Sequence, residues 1–481
     1  MLKFKGFIPS VMATSVLAMF AACQDDVVTS SVGETSISKI ETDFCATIPY
    51  ESKSVLESFS GDSEVLDYNL ARKLTIAEFI GTGMDEELGW KGCKLNEAPV
   101  VIYGFDNKPK FYDFIVVDAE SNTIGTITAY ARRKSSTMIK SVTHGVKNYT
   151  GQLAKSNGSS LFMDWAGTEY VGVRGKSGDA PISAVDSETG EPAEYTTEIT
   201  DEEIIEILKQ ELLPALVLND YSAIPEEILN DSLIDELEAI KNISVDALVD
   251  SLKNSLADNI ENTEAFWADM DGLIEEVDGL SDDELIDESG KGLKIIRRIF
   301  SKVDRDITYI QRYNNRNYVV KNTSSLACGP WVCGFIYYIK YGVDKYKYFY
   351  DCASTVGEFG LANVGMRLMN QRAMTPAEMS WSMKKITNGT ITIDPKLVFN
   401  DFSAYDQIHH YDSPAIRLCK SGNSLHWMLA FGTYQSGNYA WRNYYFVFRD
   451  NQTHGDYIDP TTKGDDYSQV DWWNPWLMVW D

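Results

Sequence analysis

The stretch Leu326 to Gly342, LACGPWVCGFIYYIKYG, constrains this chain more than any other. Asn322 to Ser325 are small and polar, and from Trp331 onward the residues are apolar and aromatic. Pro330 suits the first turn of a helix, where its missing N–H would be unpaired anyway, and Gly342 is a natural stop. The pattern predicts a buried helix with Cys328 at its N-terminus. Unpaired backbone N–H groups and the positive end of the helix dipole favour an anion there. A thiolate is an anion, and it is the nucleophilic form of cysteine. Free cysteines are also among the most buried residue types, so Cys328 taken alone reads as structural. Cys333, further into the same helix, reads as core.

A second stretch changes the balance. Ser421-Gly422-Asn423-Ser424-Leu425-His426 leads into Trp427-Met428-Leu429-Ala430-Phe431-Gly432, which places one histidine at the head of an apolar strand after a Gly-Asn turn. Another strand, Tyr445 to Phe448, runs into Arg449-Asp450-Asn451. A cysteine opening a helix, followed by a histidine and then an Asp or Asn on strands, resembles the papain-like cysteine peptidases. The CGP opening and the His-Trp run are most similar to the C39-like branch, and the likeness covers roughly the last 180 residues. The resemblance implies that Cys328 is the nucleophile, His426 the general base and acid, and Asp450 the residue that orients the imidazole. Asn451 and Asp459 are alternatives for the third role. It also implies an oxyanion hole made of the Cys328 N–H and the side-chain amide of Asn322, which stands where the family usually has Gln. His409 and His410 read as exposed in a polar loop before a strand at 414–418. His454 lies in a turn, and His144 lies outside this region.

Length and charge set the surroundings. A chain of 481 residues exceeds one ordinary core, so several domains are expected. A net charge of −28 argues against nucleic acid or an anionic membrane surface as a partner. Lys3 and Lys5, the apolar run Phe7 to Ala22, and Phe20-Ala21-Ala22-Cys23 resemble a lipoprotein signal (1–22) and lipobox, with Cys23 as the lipidated N-terminus. Gln24-Asp25-Asp26 is similar to the acidic run that directs some Gram-negative lipoproteins to the outer face of the outer membrane. Residues 23–44 read as a Ser/Thr/Asp-rich tether. Outside the cytoplasm disulfides are permitted: Cys45 with Cys93, and Cys352 with Cys419 or Cys333.

Residues 45–175 read as a small α+β unit: a helix over 66–80, a strand at 100–103, and strands at 111–118 and 123–130 joined by a polar turn. The segment 108–133 resembles the cystatin-like prodomain of streptopain-type peptidases. Residues 176–290 read as a linker (176–199) followed by an acidic helical connector. Thr200 and Ser281 each have capping-box spacing, and Pro214 is expected to break the first helix. The connector's acidic residues read as solvated faces. Asp269 and Asp271 are only superficially like a calcium loop. Residues 291–316 turn basic, which marks the junction of pro-region and peptidase domain (291–481).

The expected fold class is therefore α+β: a papain-like C-terminal domain preceded by a cystatin-like unit and a helical connector. No motif points to a metal or cofactor: there is no HExxH, no CxxC pair and no phosphate-binding glycine loop. The expected partner is a peptide or protein substrate, with the membrane met only through the lipid anchor. Two other readings stand beside the peptidase. One is a peptidase-fold lipoprotein without activity that binds peptide or glycan, which Asn322 and the Trp-rich tail (472–480) favour. The other is a cell-wall amidase or transglutaminase with the same residue order. The tail tryptophans themselves read first as late core strands.

Overall fold

The structure, a computed structural model, describes residues 49–481 except 146, 148, 150–159, 178, 180, 182, 188–189, 194–196, 217–243, 288–289, 301–305, 315–327, 344–374, 422–423, 438–440, 450–466 and 470–471. The signal segment, Cys23 and the tether thus lie outside the described residues, as do Cys45 and Cys352. The N-terminal half contributes β1 (Lys94–Leu95), β2 (Val100–Tyr103), β3 (Pro109–Val117), β4 (Thr123–Tyr130), β5 (Ile139–His144), β6 (Ser160–Met163), β7 (Glu169–Val173) and β8 (Ser183–Asp186). The C-terminal half contributes β9 (Asp306–Tyr309), β10 (Thr392–Ile393), β11 (Ala415–Ser421), β12 (Ser424–Gly437), β13 (Arg442–Arg449), β14 (Tyr467–Gln469) and β15 (Trp476–Trp480). These form one 15-stranded sheet in the order β10-β15-β11-β12-β13-β14-β5-β4-β3-β2-β6-β7-β8, with β1 beside β3 and β9 beside β12. Together with the helices below, this makes the chain a mixed α+β protein.

The helix and strands expected between residues 66 and 130 form as their patterns require. Helix α1 (Tyr68–Thr82) starts at Asp67, whose carboxylate accepts from Asn69 N at 2.9 Å, and stops at the left-handed Gly83 (φ 80°). The β3–β4 hairpin turns where Asp118 accepts from Asn122 N at 2.7 Å. Strand β3 is buried on both faces. Tyr112, Phe114 and Val116 belong to the main core, while Phe111 and Ile115 pack with Val100, Ile102 and Leu161 in a smaller second core. That is the period-two alternation of a strand with a layer on each side.

The segment 176–199 is not wholly a linker, since it contains β8, paired with β7. The helix from the Thr200 capping box also differs from expectation. Helix α2 (Asp201–Ile207) passes into a π-helical turn, Leu208–Leu212, and the chain stays helical through Leu213–Leu216. A proline in an α-helix clashes with the carbonyl four residues back. Widening the preceding turn to the π pattern, with Leu213 N bonded to Leu208 O, lets Pro214 be carried without a break. The connector's main element is α3 (Val245–Asp278), opened by Ser244. Asp269 and Asp271 sit on this helix. Asp269 accepts from the Trp441 indole at 2.8 Å and Asp271 pairs with Arg133 at 2.7 Å.

The basic segment begins with α4 (Lys291–Phe300). Ile296 and Phe300 are buried, and α4 packs on α1 so closely that a Cβ on Gly81 would lie 2.5 Å from the Phe300 ring. Strand β9 follows and pairs with β12 on the other half. The two halves meet broadly. Strand β14 pairs with β5 through Tyr467↔Val142 and Ser468↔Ser141. Tyr434 donates to the Thr82 carbonyl, and Asn443 donates to the Ser136 carbonyl at 2.6 Å. At the centre of this junction lies Glu78, fully buried, which accepts from Thr137 Oγ1 at 2.5 Å, Met138 N at 2.6 Å and Tyr445 Oη at 3.2 Å. No helix among the described residues is long and apolar enough to cross a membrane.

Candidate active site

Helix α5 (Cys328–Tyr341) begins at Cys328 and is followed by Gly342 in the left-handed region (φ 66°). Its start and stop are those read from the sequence. Trp331 and Phe335, one turn apart, stack at 5.3 Å between ring centroids. With Val332, Cys333 and Ile336 they make the helix nearly all buried. A helix apolar on every side must be surrounded by other elements. Here α5 packs against β12 and against the helix Pro376–Ile386.

Strand β12 carries His426 near its head. The β11–β12 register pairs Cys419 with His426 and Ser421 with Ser424, and the Gly-Asn turn expected between them lies outside the described residues. Beyond Ala430 a bulge shifts the register, and the partner on that edge changes from β11 to β9. Strand β13 ends at Arg449 opposite Leu429, so the end of β13 and the head of β12 lie at the same end of the sheet. The geometry therefore brings the Cys328 helix against the His426 strand. Asp450, Asn451, Asp459, His454 and Asn322 all lie outside the described residues.

Both central side chains are covered. Cys328 is 1% exposed and His426 is 1% exposed. Cys333 is wholly buried, and its thiol is pushed far up from the usual value, chiefly by burial and also by the nearby Cys328. A thiol held protonated in this way is a poor nucleophile. Cys93, Cys328 and Cys333 are free thiols. Among the described residues no group of three or more His, Cys, Asp or Glu side chains is gathered in a way that would hold a metal ion.

Two of the other histidines are placed differently from the sequence reading. His409 and His410 lie not in a loop but in the last turn of α6 (Asp401–Tyr411), with His409 stacked on Tyr405 at 5.0 Å. The signal for this helix is Asn400, whose side chain caps it by accepting from Ser403 N at 3.2 Å. The tail tryptophans are mainly structural. Trp473 and Trp476 are buried, Trp476 donates to Asp401 Oδ1 at 2.9 Å, and Trp480 packs edge-on against Tyr411. Comparison with protein-family models, with curated proteins and with solved structures finds no match.

Proposed function

We propose that this chain is a lipid-anchored cysteine peptidase of the papain-like type, with Cys328 as nucleophile and His426 as general base. The observation that carries the reading is the direct packing of the helix opened by Cys328 on the strand headed by His426. The Cys328 sulfur attacks the peptide carbonyl carbon while the imidazole takes the thiol proton. The tetrahedral oxyanion is held by the Cys328 N–H and the Asn322 amide. Collapse breaks the C–N bond, and the imidazolium returns its proton to the leaving amine. Water, deprotonated by the same imidazole, then releases the acyl group. Asp450 orients the imidazole, and Cys23 carries the lipid at the outer face of the outer membrane.

The reading includes latency. A substrate carbonyl does not reach a thiol that is 1% exposed, so the reactive pair must be uncovered before turnover. The N-terminal unit, residues 45–175, serves as the pro-region, and cleavage within 291–316 is the activating step: it frees the chain near Cys328 to open while the two parts stay joined through the shared sheet. Peptide hydrolysis measured before and after limited proteolysis tests the assignment. Cys328→Ala and His426→Ala should each abolish turnover of the nicked protein, and the double variant should lose little more, because members of one catalytic unit are not additive. Full activity in either single variant sinks the assignment.

The burial of both side chains favours one second reading, a peptidase-fold lipoprotein that binds peptide or glycan without turnover. Absence of hydrolysis both before and after nicking, with the fold intact, is its signature.

A further inference from the structure

The inward stripe of α3 breaks its own pattern at one place. Leu248 and Leu252 are buried at one end, and Phe266, Met270, Leu273 and Val277 are buried at the other. Steps of three and four residues carry the same face through the middle of the helix at Ser255, Asn259 and Asn262. Periodicity calls for apolar residues there, and the sequence supplies a hydroxyl and two amides. A polar interruption of a core stripe costs stability unless the site uses it.

These three residues form one wall of a cavity of about 360 Å³, within the size range of small-ligand sites. Its other lining comes from sequence-distant elements: the start of α6 with Phe402, the start of β13 with Arg442 and Tyr444, and Trp472. Phe402 is 48% exposed, a large ring left uncovered beside the cavity, and it packs at 6.3 Å from Tyr444. Asn262 is fully engaged as a brace, donating to Ser136 Oγ at 2.9 Å and to the Arg442 carbonyl at 2.7 Å and accepting from Arg442 N at 2.7 Å. The Asn259 side chain makes no hydrogen bond among the described residues, so both halves of its amide are available to a ligand.

We propose that this cavity binds a neutral oligosaccharide. Sugar rings offer an apolar C–H face that stacks on aromatic rings and an edge of hydroxyls that pair with planar amides and carboxylates. The lining supplies both, with Phe402, Tyr444 and Trp472 as rings and Asn259 and Asp258 as polar partners. Two carboxylates, Asp258 and Asp401, against the one guanidinium of Arg442 disfavour phosphorylated or acidic ligands. The polarity of the helix wall disfavours lipid. The site is separate from the candidate thiol. Tyr444 lies opposite Gln435, and Gln435 is roughly 30 Å along β12 from His426 at about 3.3 Å per residue. The inference therefore stands whether or not the chain is a peptidase.

Isothermal titration of the full chain in detergent with cellotriose, maltotriose and tri-N-acetylchitotriose tests it. The first two represent neutral polysaccharides, and the third represents the N-acetylated chains of glycoproteins and cell walls. At least one should bind, and Asn259→Ala and Phe402→Ala should each weaken that binding by about ten-fold, the loss of one hydrogen-bonded or stacked contact. Both side chains sit outside the core, so thermal melts of the variants should match the wild type and separate lost binding from lost folding. The proposal is overturned by no binding of any of the three sugars, by binding insensitive to both variants, or by displacement of the sugar by hexylamine, which would mark an aromatic–carboxylate site for cations.

Discussion

At the residue scale, the most exacting environment belongs to Glu78. Burial raises its carboxyl from 4.5 to about 7, even though Thr137, Met138 N–H and Tyr445 all donate to it and favour the charged form. The folded state therefore keeps a proton that the unfolded state has already lost between pH 4.5 and 7. Its contribution to stability is fully present below pH 4.5 and is lost as the pH rises towards 7. At about 1.4 kcal/mol per pH unit, the loss is at most on the order of 3 kcal/mol. Glu78→Gln keeps the shape without the titration. The difference in urea midpoint between wild type and variant should change across pH 4.5–7 and be flat above it; a difference that is constant with pH would contradict this account. Asp481 makes a second residue-scale case. Its carboxylate is clamped by Arg312 at 2.6 Å and Tyr313 at 2.7 Å, with its side chain 1% exposed. Asp481→Ala removes the acceptor of the buried Tyr313 hydroxyl and leaves Arg312 only its pairing with Asp412, and should cost about 1–3 kcal/mol in a denaturation series. Cys333, whose thiol burial holds protonated, should resist alkylation in the folded protein, and Cys333→Ala should change stability but not labelling.

At the element scale, α1 and α4 approach face to face at Gly81, where the Phe300 ring occupies the space a Cβ would take. Gly81→Ala should force the ring or the helix aside and cost about 1–3 kcal/mol, read as a lower melting temperature; an unchanged melt would mean that the two helices are not packed as described. Elements of this kind differ in how far the sequence announces them. Helix α5, the β3–β4 hairpin, both capping boxes and the strands around His426 were legible because local chemistry alone fixes them: a cap, a turn, a period. The passage of the helix through Pro214 was not, because the relief comes from a π turn with no residue signature of its own. Helix α6 was hidden behind a polar surface, although Asn400 is a plain cap. The polar phase of Ser255, Asn259 and Asn262 is visible in the sequence, but only once the inward face of α3 is known. For the candidate site, sequence order gives the cysteine and the histidine. The packing of the helix opened by the one on the strand headed by the other is a tertiary fact that no local pattern contains.

At the scale of the whole molecule, the sheet passes from the N-terminal half to the C-terminal half without interruption through β5 and β14, with Glu78, Thr137 and Tyr445 buried behind it. The basic segment straddles this junction, with α4 packed on α1 and β9 paired to β12. One cut within 291–316 should therefore leave both fragments bound, eluting together on size exclusion in buffer and separating only in denaturant. Fragments that part in buffer would show that the shared sheet contributes little. The claim on which the functional account rests is that Cys328 is activated by His426. The most direct measurement is the rate at which iodoacetamide alkylates Cys328 across pH 5 to 9 in nicked protein, followed by mass spectrometry of the Cys328 peptide, for wild type and His426→Ala. The wild type should react well below the pH at which free cysteine does, and removing the imidazole should abolish this low-pH reactivity. Superimposable profiles in the two proteins, both rising only near the ordinary cysteine value of about 8.5, would contradict it.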